Sequence, residues 1–165
     1  MSLNKDNPVI NSFINTAQQD LKNAVDNIES RILQICQACD SAQECYEKVP
    51  AQANEIPGDL KTLDGTLEYQ LIAVSNDNPD EYAALEMIAG AIGQHYLATF
   101  STMQSYPEGI AQSIYVASDM DNGDQIYPDN LKVFLDHCFS PVRAGSMIFF
   151  DWLRIQPTPQ FVTGQ

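Results

Sequence analysis

Two groups of side chains in this 165-residue chain have the types and spacing that metal or redox chemistry needs. The first is the run Asp119-Met120-Asp121-Asn122-Gly123-Asp124-Gln125-Ile126, with Asp129 and Asn130 close behind. A hard cation such as calcium takes roughly six to eight oxygen ligands, and carboxylates spaced this closely let one short segment supply several of them. Asp119, Asp121, Asp124 and Asn130 are therefore the candidate cation ligands. The second group is Cys36 and Cys39, a CxxC, with Cys45 six residues further on and the pair His137-Cys138 far downstream. Such residues can supply a zinc site of four thiolates, or of three thiolates and an imidazole. They can also pair as disulfides in an oxidising compartment, or fill a core as small apolar side chains. Both members of the CxxC fall in one helical stripe, whereas zinc sites more often hold such a pair on a loop, so core thiols are the expectation.

Over about 12 residues the acidic run resembles the loop of the EF-hand family, with acids at loop positions 1 and 3, an aliphatic residue at 8 and helices predicted on both sides. The resemblance implies calcium binding and a regulatory role. The chain departs from the family at three places: Gly123 and Asp124 stand at positions 5 and 6, where the family has a ligand and then the turn glycine, and Asn130 replaces the bidentate glutamate at 12. Asn122-Gly123 is equally a strong turn dipeptide, so a plain surface turn is the competing reading.

Catalytic signatures are absent from the sequence: it contains no GxSxG, P-loop, HExxH, GxGxxG or paired ExxH motif. His95 adjoins the apolar positions Ile92 and Tyr96, as a core or boundary histidine does. His137 and Cys138 are neighbours along a helix, where side chains diverge by about 100°, so adjacency does not make them a dyad. The chain is expected to be non-enzymatic, with a cryptic enzyme or a Cys/His metal protein as the alternative.

The elements that must position these groups read as helices. Asn7-Pro8 is an N-cap followed by a first-turn proline, and Ile10, Ile14, Ala17, Leu21, Ala24, Ile28, Ile32, Ile35 and Cys39 continue at helical spacing. This long seam is either the spine of a bundle or a coiled-coil contact with a second copy of the chain. Asp40, Ser41 and Glu44 form a capping box opening a short helix to Lys48, and Val49–Gly58 reads as a loop. Leu60 to Val74 follows helical spacing with Gly65 in its interior, although Thr66–Ala73 also alternates as a strand would, and the longer helical pattern is preferred; Asn78-Pro79-Asp80-Glu81 then caps a central helix, on which Ala89, Gly90 and Gly93 allow close approach. Pro107–Ser118 is helical, with Ile114–Ala117 as a candidate strand and a short β-hairpin near 112–127 as the alternative. Pro128 opens one helix and Pro141 another. The fold class is all-α: a bundle of five to seven helices in one domain over residues 1–155, with an extended tail at 156–165.

Charge narrows the partners. Twenty-two Asp and Glu against eight Lys and Arg give a net charge of −14, and residues 62–131 contain eleven acids and no base. Nucleic acid and anionic membrane are excluded as partners, because binding to phosphates needs clustered Lys and Arg. A protein partner, particularly a basic one, fits, which points to an inhibitor or immunity-type protein, a chaperone or an assembly subunit. With no signal-peptide pattern at Met1–Pro8 and no long apolar run, a cytoplasmic location with reduced cysteines is expected.

Overall fold

The computed structural model describes the backbone of residues 2–120 and 128–161, with side chains described outside 117–120 and 128–130. Among the described residues six α-helices follow one another: α1 (Pro8–Ala38), α2 (Ala42–Lys48), α3 (Ile56–Asp77), α4 (Tyr82–Met103), α5 (Tyr106–Met120) and α6 (Pro128–Arg154). Four of them, α1, α3, α4 and α6, are 31, 22, 22 and 27 residues long and form the bundle, fewer than the five to seven expected. Each packs on two neighbours in the cyclic order α1, α3, α4, α6.

Cross-links give the directions. Arg31 near the end of α1 forks onto Asp59 at the start of α3 (2.7 and 2.6 Å), so these two run antiparallel. Arg154 at the end of α6 reaches Asn15 in the first half of α1 (2.8 Å), while Lys132 at the other end of α6 meets Glu29 (3.0 Å). Asn7 before α1 donates to Glu81 before α4 (3.2 Å), and the Tyr96 hydroxyl donates to the Ala17 carbonyl (2.8 Å), so the diagonal pair is parallel. The result is an up-down-up-down four-helix bundle. Among the described residues no helix is long and apolar enough to cross a membrane.

The seam of α1 is the spine of this bundle. Ile10, Ile14, Ala17, Leu21, Val25, Ile28, Ile32 and Cys36 are buried at spacings of three and four against the chain's own helices. The buried line runs through Val25 and Cys36; Ala24 and Ile35 flank it and are half-buried. The start of α1 is as expected: the Asn7 side chain accepts from the N–H groups of Val9 and Ile10 (3.0 and 3.2 Å), with Pro8 where no donor is needed. So is that of α2, where Ser41 accepts from Glu44 N–H (3.2 Å) and Glu44 reaches back to Asp40 N–H (2.9 Å).

Several expectations are corrected. Residues 49–54 form 3-10 turns and α3 begins at Ile56, so Val49–Gly58 is no open loop; Pro50 and Pro57 sit in first turns, where their missing N–H costs nothing. Asn78 closes α3 by donating to the Val74 carbonyl (2.9 Å) and does not cap α4, which Pro79–Glu81 enter through a 3-10 turn. Ile114–Ala117 is helical, as is the described part of the expected hairpin, 112–120; Ile110, Ala111 and Ile114 are buried on one helical face, which a strand would split between two. Residues 121–127 lie outside the described residues. Gly90 faces open space, whereas Gly93 turns to α3, where an added Cβ would lie 3.9 Å from Leu67.

Pro141 does not divide two helices; α6 runs through it. Its ring removes the N–H that the His137 carbonyl would accept, but Pro141 and His137 both lie on the exposed side, where water can take up that carbonyl. The opposite face, with Leu135, Phe139 and Val142, is buried and holds the helix together. The tail folds back over residues described to 161: Asn4 N–H donates to the Gln156 carbonyl (2.8 Å), Thr158 N–H to the Ser2 carbonyl (2.9 Å), and Leu3 bridges Pro157.

One carboxylate is buried at the α1–α6 seam. The Glu29 side chain is 5% exposed and accepts from Arg143 (2.8 Å) and Lys132 (3.0 Å), and Arg143 also holds Asp26 (2.7 Å). Burial alone would raise the Asp26 carboxyl, but hydrogen bonds from Arg143 and Lys22 outweigh it and hold it below its ordinary value. Arg143→Met is expected to destabilise the fold by about 2–3 kcal/mol in urea unfolding, because it leaves the buried Glu29 with the half-exposed Lys132 as its one cation. The double variant Glu29→Leu, Arg143→Met is expected to recover most of that loss.

Candidate functional site

Where the bases go determines which face is left charged. Lys22, Arg31, Lys48, Lys132, Arg143 and Arg154 all make ion pairs, and their acidic partners are Asp26, Glu29, Glu44, Asp59, Asp136 and Asp151. Four of these bases clasp α1 to its neighbours: Arg31 to α3, and Lys132, Arg143 and Arg154 to α6. Among the described residues no acid of 62–131 is in an ion pair. Asp64, Glu68, Asp77, Asp80 and Glu86 are exposed along α3, the turn after it and the start of α4, the side of the bundle away from the α1–α6 clasp, where Lys61 at the start of α3 is the one exposed base among the described residues. Burial raises the Asp64 carboxyl somewhat; no base opposes that shift.

Apolar side chains are exposed among these acids. Tyr69 is 73% exposed and follows Glu68 directly, with Ile72 one turn on; Tyr82, Met87 and Leu97 stand out from α4. Leu67 and Gly93 meet across the α3–α4 pair, so Glu68, Tyr69 and Ile72 lie at the level of the middle of α4. Exposed tyrosine and methionine are residues that protein-binding surfaces favour.

A second apolar strip runs along the end of α6. Ile148, Trp152 and Ile155 are 71%, 50% and 55% exposed, at spacings of four and three that keep them on one helix face. The strip is anchored to α4: the Trp152 ring lies 6.0 Å from Phe149, which stacks on His95 at 4.2 Å between centroids, inclined by 5°. Of this stretch only Phe150 and Leu153 are buried.

The candidate residues fare differently. Asp121 and Asp124 lie outside the described residues; the backbone of Asp119 ends α5 and that of Asn130 belongs to the first turn of α6, their side chains lying outside the described set. Cys36 and Cys45 come together where α1 turns into α2, with Cys39 at the turn between them, whereas Cys138 lies on α6 near Glu29 and Tyr106, and His137 is exposed. Among the described residues no three His, Cys, Asp or Glu side chains are grouped to hold a metal ion. A groove of about 290 Å³ opens beside Glu29, lined also by Asp26, Lys132 and Arg143, but its two cations are already neutralised by carboxylates. Sequence reasoning missed this cluster: Glu29 and Arg143 are 114 residues apart, and no local pattern connects them.

Comparison with protein-family models, with curated proteins and with solved structures finds no match to this chain.

His95 offers a pH readout of the α4–α6 junction. Burial lowers its imidazole below the ordinary 6.5, so the unfolded chain binds the proton more readily than the folded one. The stability this confers is complete above about pH 6.5 and is lost as pH falls from there toward the lowered folded-state value. His95→Phe is expected to remove this loss from the thermal midpoint measured between about pH 7 and 5.5, above the range where carboxylates titrate.

Proposed function

We propose that the chain is a non-enzymatic protein-binding module whose α3–α4 face engages a basic protein partner. The observation that carries the reading is the division of charge. Six of the eight bases are paired with acids outside residues 62–131 and Lys61, at the start of α3, is the one base on the α3–α4 pair, so the acids from Glu68 to Glu86 project a field that is little cancelled. Such a field speeds the approach of a cationic surface and disfavours acidic competitors. Tyr69, Ile72 and Met87 then supply the apolar contact that gives a complex its lifetime. An inhibitor, a chaperone or an assembly subunit would each use such a face.

The test is an affinity capture from the source cell at low and high salt, followed by binding kinetics with the captured protein. The partner is expected to present a Lys- and Arg-rich contact surface, and Glu68→Lys with Glu86→Lys is expected to slow association about tenfold or more, with Tyr69→Ala acting on dissociation. Association that ignores both salt and charge reversal would remove the proposal.

One observation favours a second reading. The segment carrying Asp121 and Asp124 joins two helices, α5 ending at Met120 and α6 beginning at Pro128, which is the setting a calcium loop requires. Calcium at millimolar concentration is then expected to raise the melting temperature above that in chelator, and Asp121→Asn to abolish the rise. An unchanged midpoint would dismiss calcium.

A further inference from the structure

We infer that Cys36 and Cys45 are a reversible disulfide site, and that Cys39 is the thiol through which oxidation enters and leaves it. Helix α1 ends at Ala38, Cys39 takes extended backbone (φ −80°, ψ 141°), and Ser41 at once caps α2. This sharp reversal lays the first turn of α2 back over the last turn of α1. Cys36 and Cys45 face each other there, with their sulfurs 2.8 Å apart. Non-bonded heavy atoms sit roughly 3.5–4.0 Å apart and a disulfide bond is about 2.05 Å, so the sulfurs are already pressed together and need less than about 1 Å to bond. All four cysteines are thiols in this structure.

Access decides the route. Cys36 and Cys45 are buried, 1% and 0% exposed, beyond the reach of a dissolved oxidant. Cys39 is partly exposed, donates to the Ile35 carbonyl (3.0 Å) and stands at the turn between the two helices, near enough to Cys45 for the two thiols to influence one another's proton affinity. A small disulfide such as oxidised glutathione would therefore meet Cys39 first. The Cys39 thiolate attacks one sulfur of the reagent and releases one small thiol, leaving a mixed disulfide. Cys45, as thiolate, then attacks Cys39 Sγ and releases the second small thiol. Finally Cys36 attacks Cys45 Sγ and regenerates the Cys39 thiolate, which takes up a proton. In sum one small disulfide is reduced to two thiols, and two protein thiols become one disulfide. Burial, with Cys45 and Glu44 nearby, pushes the Cys39 thiol up; its hydrogen bond to Cys36, with burial, pushes Cys45 far up. The exchange is accordingly slow at neutral pH and accelerates as pH rises. The bond would fasten the end of α1 to α2, and through it to α5 and the 49–54 turns on which α2 packs.

The full chain is incubated with oxidised glutathione, quenched in acid, alkylated and digested after Glu44, which separates Cys45 from Cys36 and Cys39; fragmentation then assigns the link. A Cys36–Cys45 bond is expected, with a rise in Tm of about 5 °C that a reductant reverses. Cys39→Ser is expected to slow its formation at least tenfold without changing the product, Cys36→Ser to abolish both the bond and the Tm rise, and Cys138→Ser to leave rate and product unchanged. Glutathione retained on Cys39 with no internal bond, or a bond to Cys138, would overturn the site. Oxidation of Cys39→Ser at the native rate would overturn the role of Cys39.

Discussion

Glu29 is a carboxylate taken out of water in a chain that has few bases to neutralise it. Its burial is tolerable only because Arg143 and Lys132 approach from α6, and those two residues also take up Asp26 and Asp136. The attraction in such a cluster roughly balances the cost of desolvation, so its main effect is on geometry. A slide of α6 along α1 by one turn would leave a buried charge unpaired. The register of the bundle's longest pair of helices is thus set electrostatically, and the apolar seam of α1 only has to fill the space behind it. Arg31 on Asp59 does the same for α1 and α3, and Tyr96 on the Ala17 carbonyl for the diagonal.

The same clasp shapes the outside. Because four of the eight cations gather where α1 meets α3 and α6 and α4 carries none, the opposite side of the bundle is acidic by omission, with Lys61 at one end of α3 as its only base among the described residues. Charged residues are only 18% of the chain, so this field arises from missing bases more than from crowded acids. Exposed Tyr69, Ile72 and Met87 lie within it, and the Ile148, Trp152 and Ile155 strip lies on the other flank of α4. Bundles expose isolated apolar residues routinely; a helix face carrying three at helical spacing, one of them the chain's single tryptophan, is the kind of surface that partners cover.

Much of the fold is legible locally. The Asn7-Pro8 start, the Ser41 and Glu44 caps and the α1 stripe follow from short-range rules, and the structure contains each of them. What local rules could not supply depends on solvent or on distant partners. Pro141 reads as a helix start because the sequence does not reveal that the carbonyl it orphans faces water. Asn78 reads as an N-cap because its side chain serves either end of a turn, and here it serves α3. The end of α6 is apolar on two sides, so periodicity alone cannot tell which side is covered. For the candidate sites, Cys36 and Cys45 are close in sequence and meet in space. The Glu29 cluster joins residues more than a hundred positions apart and has no sequence signature.

The division of charge can be measured without a partner. Amide-proton relaxation is recorded with a cationic and then an anionic nitroxide dissolved at equal concentration, and the ratio of the two enhancements is mapped along the chain. Because the local potential sets the concentration of each probe, the cationic one should dominate several-fold over residues 64–87, with a ratio near unity beside Asp26 and Arg143. A ratio uniform over the surface would contradict the account, since −14 charges would then be spread evenly and the α3–α4 face would have nothing to distinguish it.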